Sequence, residues 1–98
     1  MLEVETPADM KSHIGEKIGP SEWVTVDQAM IDKFAEATGD HQWIHVDVER
    51  AKTAMPGGKT IAQGYLVMSL VPKMQIYRIA NFSRALNYGF DRLRFTGA

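Results

Sequence analysis

Residues 37 to 47 read ATGDHQWIHVD, which places Asp40, His41, His45 and Asp47 close together behind Gly39. Two imidazoles and two carboxylates at this density allow three readings: a metal site, an acid/base pair working on a water molecule, or a polar turn whose hydrogen bonds are local. HQWIH spaces His41 and His45 as the zinc-protease signature HExxH does. That signature needs both histidines on one face of a continuous helix and a glutamate as general base. Gly39 and Asp40 argue against a helix at His41, and Gln42 cannot take a proton, so the metal reading is the least supported of the three. Pairing Asp40 with His45 requires only a bent segment that turns both side chains into one cavity. An imidazole titrates near neutral pH without help, and a carboxylate in a partly dry cleft can be tuned towards it. In the third reading Asp40 caps a turn and His45 is a hydrogen-bonded core histidine. Spacing alone leaves the last two open.

Two further stretches bear on chemistry. GGKT at residues 57 to 60 suggests a phosphate loop, but that motif needs a glycine where this chain has Thr53, and the reading is rejected. TIAQG places Gly64 in the opening turn of an apolar helix, among amide N–H groups that lack a carbonyl partner within the helix. Such amides can receive negative charge developing on oxygen; equally, Gly64 can serve only close packing.

The elements that must hold these residues follow from periodicity. VTVDQAMIDKFAEATGD predicts a helix with Thr25 as cap, Gln28 closing a capping box, a stripe of Met30, Ile31, Phe34 and Ala35, and Gly39 as its stop. Asp47 is placed to cap a short helix, VERAKTA, and MPGGK follows as a turn. A third helix is predicted from about Thr60, apolar on nearly every face through Ile61, Ala62, Tyr65, Leu66, Met68, Leu70, Val71 and Met74, with Pro72 kinking its later turns. RALNYGFDRLRF reads as extended segments meeting near Gly89. Two short strands cannot enclose so apolar a helix. A strand over residues 18–26, a partner chain, or chain beyond Ala98 is needed to complete the sheet.

Composition sets the outer limits. A chain of 98 residues, 45% hydrophobic and 23% charged, has the balance of one soluble globular domain, and at this size a second copy would help stabilise it. A net charge of -1 gives no basic field for nucleic acid. The absence of cysteine removes disulfides and thiolate metal sites and suits a reducing compartment. MLEVETPADMKSH lacks the basic and apolar regions of an export signal, and the most apolar run, IAQGYLVMSLVPKMQIY, is too short and polar to span a bilayer. A cytoplasmic protein with no membrane partner is expected.

ATGDHQWIHVDVERA followed by KTIAQGYLVMSLVP resembles the MaoC-like (R)-specific enoyl-thioester hydratases and dehydratases, in the NodN-like branch that includes mycobacterial 3-hydroxyacyl-thioester dehydratases. Gly39, Asp40, Ile44, His45 and Asp47 match the family's first motif, and Ile61, Ala62 and Gly64 its second, over a similarity running from about Gly15 to Phe95. The resemblance implies an α+β hot-dog fold, an antiparallel sheet wrapped around a central helix, as a single domain over residues 1–98 and a homodimer. Its C-terminal strands would lie beyond this chain, which stops at Ala98 where relatives continue. It assigns Asp40 and His45 as the catalytic pair, the Gly64 N–H as donor to a thioester carbonyl, and Trp43, Gln63 and Tyr65 to substrate contact. It implies hydration of trans-2-enoyl thioesters, or dehydration of 3-hydroxyacyl thioesters, carried on coenzyme A or an acyl carrier protein, without metal or redox cofactor. The rival expectation is a non-catalytic acyl-thioester-binding or assembly subunit that needs a partner to complete its sheet. Gln63 stands where relatives have histidine, and Gln42-Trp43 where many have Asn-Pro. Arg78, Arg84, Arg92 and Arg94 are either phosphate contacts for the substrate's carrier or solvated rim residues.

Overall fold

The computed structural model describes residues 1–97 and divides the chain into two units. One is formed by Met1–Trp23 with Pro72–Arg94; the other by Val24–Val71 with the residues from Phe95 onward. The crowded loop belongs to the second.

In that unit helix α1 (Gln28–Thr38) is started by Asp27, whose extended backbone lets its carboxylate accept the Met30 N–H at 2.9 Å. The capping box expected of Thr25 and Gln28 does not form. A carboxylate immediately before the helix reaches the free amide more directly than a hydroxyl two residues further out, and Gln28 is left to face inward. Ile31 and Ala35 are buried on one face, with Met30 and Phe34 half-buried. Gly39 ends the helix as expected: at φ 79° its N–H closes on the Ala35 carbonyl at 2.8 Å, a conformation that carries no Cβ penalty in glycine.

The chain then makes one further helical turn, α2 (Trp43–Val46), and enters α3 (Val48–Ala54), which Asp47 caps by accepting the Arg50 N–H at 3.0 Å. Residues 60–63 are not helical, where a helix was expected. The Ile61 N–H donates to the Ile44 carbonyl at 3.0 Å, so this segment is tied to α2, and α4 (Gly64–Ser69) begins only afterwards. Its end is early too: Pro72 lacks the N–H that an α-helix needs, and the chain continues as a 3-10 turn over Val71–Lys73. Leu66 is buried, as is Leu70 just beyond the helix, but Tyr65 is exposed, so α4 is not covered on every face. The core of this unit is Ile31, Ala35, Ala51, Leu66 and Leu70, joined by two polar side chains, His45 and Gln63.

In the other unit β1 (Leu2–Val4) pairs in parallel with β2 (Tyr77–Ile79), Leu2 opposite Tyr77 and Val4 opposite Ile79. A 3-10 stretch, Pro7–His13, follows β1 where the Thr6 N–H donates to the Asp9 carboxylate at 2.9 Å. The α+β class stands, but the sheet differs from expectation in direction and membership. Its strands are joined by a connection that carries all the α-helices, which permits parallel pairing, rather than by a hairpin. Among the described residues neither 18–26 nor 83–95 forms a strand. A hairpin around Gly89 without a neighbouring strand among the described residues buries too little to hold itself, and Phe82, Leu86, Tyr88, Phe90 and Leu93 are exposed. No described helix is long and apolar enough to cross a membrane.

Candidate active site

The loop's chemistry depends on how α2 seats one ring. The His45 N–H donates to the Gln42 carbonyl at 2.9 Å, closing a turn that carries the side chain inward until the residue is 7% exposed. There its Nδ1 donates to the Ile61 carbonyl at 2.7 Å. A carbonyl oxygen can only accept, so Nδ1 bears the proton and the neutral ring offers an unprotonated Nε2. Nε2 lies 3.8 Å from Asp40 Oδ2. That exceeds a direct hydrogen bond, while an oxygen placed about 2.8 Å from both atoms would subtend an angle of about 85° between them, within reach of a shared water.

The two partners differ in setting. The Asp40 side chain is 42% exposed, and its Oδ1 accepts the Gln42 N–H at a long 3.5 Å. The carboxylate keeps contact with solvent; the imidazole has little. Such a pair can accept a proton at a dry nitrogen and exchange one at a wet oxygen.

The ring's surroundings are themselves tied down. Gln28 Nε2 donates to the His45 carbonyl at 2.8 Å and to Asp32 Oδ1 at 2.9 Å, and its Oε1 accepts the Thr60 hydroxyl at 2.6 Å. Sequence reasoning assigned Gln28 to a cap and found neither Thr60 nor the Ile61 carbonyl. The carbonyl is backbone and carries no signal of its own.

Gly64 opens α4, and no acceptor takes its N–H among the described residues. It lies three residues beyond Ile61, so its Cα is at most about 10 to 11 Å from that of the residue holding the imidazole. A Cβ built on Gly64 would stand 2.9 Å from Phe95 Cε2, so the ring lies directly against the glycine. Gln63 is 1% exposed, turned into the core with its Nε2 donating to the Ile31 carbonyl at 3.1 Å and its Oε1 without a partner. Tyr65 is exposed. Trp43 is half-buried beneath the Arg50 guanidinium, which sits 4.0 Å from its ring centroid, a cation–π contact the sequence did not suggest. Of the three expected substrate contacts, only Trp43 and Tyr65 therefore present surface.

HQWIH does not form a continuous helix: α2 starts at Trp43, leaving His41 outside it. Among the described residues no three His, Asp or Glu side chains converge as metal ligands would. Arg78, Arg84, Arg92 and Arg94 are exposed and belong to the other unit. That unit also holds an open cavity of about 620 Å³ lined by residues such as Lys17, Ile18, Lys73 and Ile76, with none of the candidate residues.

A family model for the MaoC like domain matches residues 9–98. The chain belongs to the MaoC-like domain family. Over 97 residues it is 47% identical to the 3-hydroxyacyl-thioester dehydratase Z of Mycobacterium tuberculosis (strain ATCC 25618 / H37Rv), an alignment covering 97% of this chain and 64% of that protein. Over 91 residues it is 52% identical to Nodulation protein N of Rhizobium leguminosarum bv. viciae, covering 90% of this chain and 56% of the relative. The corresponding protein of Rhizobium meliloti (strain 1021) is 46% identical over 91 residues. This MaoC-like chain thus spans 64% or less of the length of these relatives.

Proposed function

We propose that this MaoC-like chain carries the catalytic groups for (R)-specific hydration of trans-2-enoyl thioesters, and for the reverse dehydration of 3-hydroxyacyl thioesters. The observation that carries the reading is the opposition of His45 Nε2 and Asp40 Oδ2 at 3.8 Å, with the other ring nitrogen held by a carbonyl. A core histidine kept only for structure has no need of a free nitrogen facing a solvated carboxylate.

In the forward direction water lies between the pair. His45 Nε2 takes one of its protons as the water oxygen bonds C3, and the electron pair of the C2–C3 double bond moves towards the thioester oxygen. The Gly64 N–H is the donor for that oxygen. Because α4 is short, the stabilisation belongs to this single amide rather than to a helix dipole; one such donor is typically worth about 3 to 4 kcal/mol in the transition state. The proton leaves His45 through Asp40 and is delivered to C2, so that the pair ends in the state in which it began. Every step is a proton transfer or an addition, and none calls for a metal or redox group. Trp43 and Tyr65 line the approach of the acyl chain; Gln63 backs the site from within the core.

The same reading includes a coenzyme A or acyl-carrier thioester as substrate, a cytoplasmic homodimer and a hot-dog sheet. The test is hydration of a short trans-2-enoyl-CoA by the purified protein, followed as loss of the conjugated thioester absorbance, with the product's configuration determined. Turnover to the (R)-3-hydroxyacyl thioester that disappears in Asp40→Asn while the fold persists supports the proposal. Tight thioester binding without turnover would instead favour a non-catalytic binding or assembly subunit.

A further inference from the structure

Gln28 makes more hydrogen bonds across the second unit than any capping or surface role requires. An exposed glutamine that met only Asp32, four residues on along α1, would add a few tenths of a kcal/mol to the helix. Its other two bonds span 17 and 32 residues of sequence. The orientation of its amide is forced. The His45 carbonyl and the Asp32 carboxylate only accept, so the NH2 group faces both, and the oxygen is left for the Thr60 hydroxyl.

The two long-range partners are the two supports of one ring. The His45 carbonyl fixes the turn that bears the imidazole. Thr60 adjoins Ile61, whose carbonyl holds Nδ1. We propose that Gln28 is a positioning residue for His45: it holds both supports in register so that Nε2 remains opposite Asp40, an inference that rests on reading Asp40 and His45 as the reacting pair. Helix α1 makes this effective because Gln28 is its first residue and Asp40 follows its Gly39 stop, so one rigid element sets the position of carboxylate and imidazole alike. Asp32 locks the rotamer through which it does so.

The test combines kinetics with a measurement that does not need turnover. Gln28→Leu is expected to lower kcat by roughly 10- to 100-fold, the loss produced by displacing a reacting group by a fraction of an ångström to one ångström, while KM changes by less than about twofold. Nitrogen NMR of the His45 ring should show a single Nδ1–H tautomer in the unaltered protein and a mixture in Gln28→Leu. Thr60→Val should move both readouts in the same direction, with Thr60→Ser recovering most of the loss; this pair carries the test if Gln28→Leu fails to fold. Retention of a single tautomer in Gln28→Leu and Thr60→Val, or a fall in activity confined to KM, overturns the assignment. If the unaltered protein shows no turnover, the functional proposal fails on its own, and the tautomer measurement still decides the role of Gln28.

Discussion

Replacing His45 by asparagine separates what the ring does for the fold from what it does for chemistry. The Asn side-chain NH2 falls close to the position of Nδ1, so His45→Asn can still donate to the Ile61 carbonyl, whereas Nε2 is removed. In His45→Ala the same carbonyl loses its only donor among the described residues. An orphaned buried acceptor costs about 1 to 3 kcal/mol. Loss of the ring also opens roughly 60 Å³, worth about 1.5 kcal/mol at about 24 cal/mol per Å³ of cavity. His45→Asn leaves about half that void and keeps the bond, so it should cost about 1 kcal/mol. The difference of about 1.5 to 3.5 kcal/mol corresponds to a gap of roughly 6 to 28 °C in melting temperature for a domain of this size. Thermal unfolding of the two variants beside the unaltered protein measures it, and the thioester assay is run on the same samples. Both variants should lack turnover, with the Asn form far the more stable. Equal melting temperatures would show that the Nδ1 bond holds nothing together. Turnover by His45→Asn would show that Nε2 is not the proton acceptor.

Other substitutions probe separate parts of the argument. Asp40→Asn, at a half-solvated side chain that accepts one long hydrogen bond and faces His45 at 3.8 Å, should lower kcat by about 10² to 10⁴-fold and change stability by less than about 0.5 kcal/mol, as judged by urea unfolding. Asp27→Ala should destabilise by about 1 kcal/mol through loss of the α1 cap, with Thr25→Ala nearly silent; the reverse ranking in thermal melts would return the cap to Thr25. Gln63→Met should be neutral or stabilising by up to about 1 kcal/mol, because it removes a buried oxygen with no partner at the expense of one hydrogen bond; clear destabilisation would mean that the oxygen is satisfied in solution.

What could be read from the sequence was local. The stripe of Ile31 and Ala35, the Gly39 stop and the Asp47 cap each depend on residues within a turn of one another, and each appears where the spacing put it. The family motifs led to Asp40 and His45, but the ring's burial, its tautomer and the 3.8 Å separation depend on Ile61 and Gln28, contributed by segments distant in the chain. The same reason explains the misplaced start of α4. Thr60 to Gln63 have the composition of a helix opening, but the backbone bond from Ile61 to Ile44 ties them to α2 outside any helix. Strands suffer most from such non-local dependence. Leu2–Val4 has almost no periodicity to read and becomes a strand because Tyr77–Ile79 lies beside it, whereas RALNYGFDRLRF has the composition but pairs with no strand among the described residues.

That unpaired stretch shapes how the molecule behaves in company. Leu86, Tyr88, Phe90 and Leu93 are exposed along a segment that forms no strand among the described residues, the composition and exposure that favour pairing with another extended chain. Interspersed among them are Arg84, Asp91, Arg92 and Arg94, ionic gatekeepers that would have to shed their hydration or face their own kind in a stack of copies. The reach of such charges in physiological saline is only about 8 Å, so concentrated electrolyte should weaken the protection they give this segment.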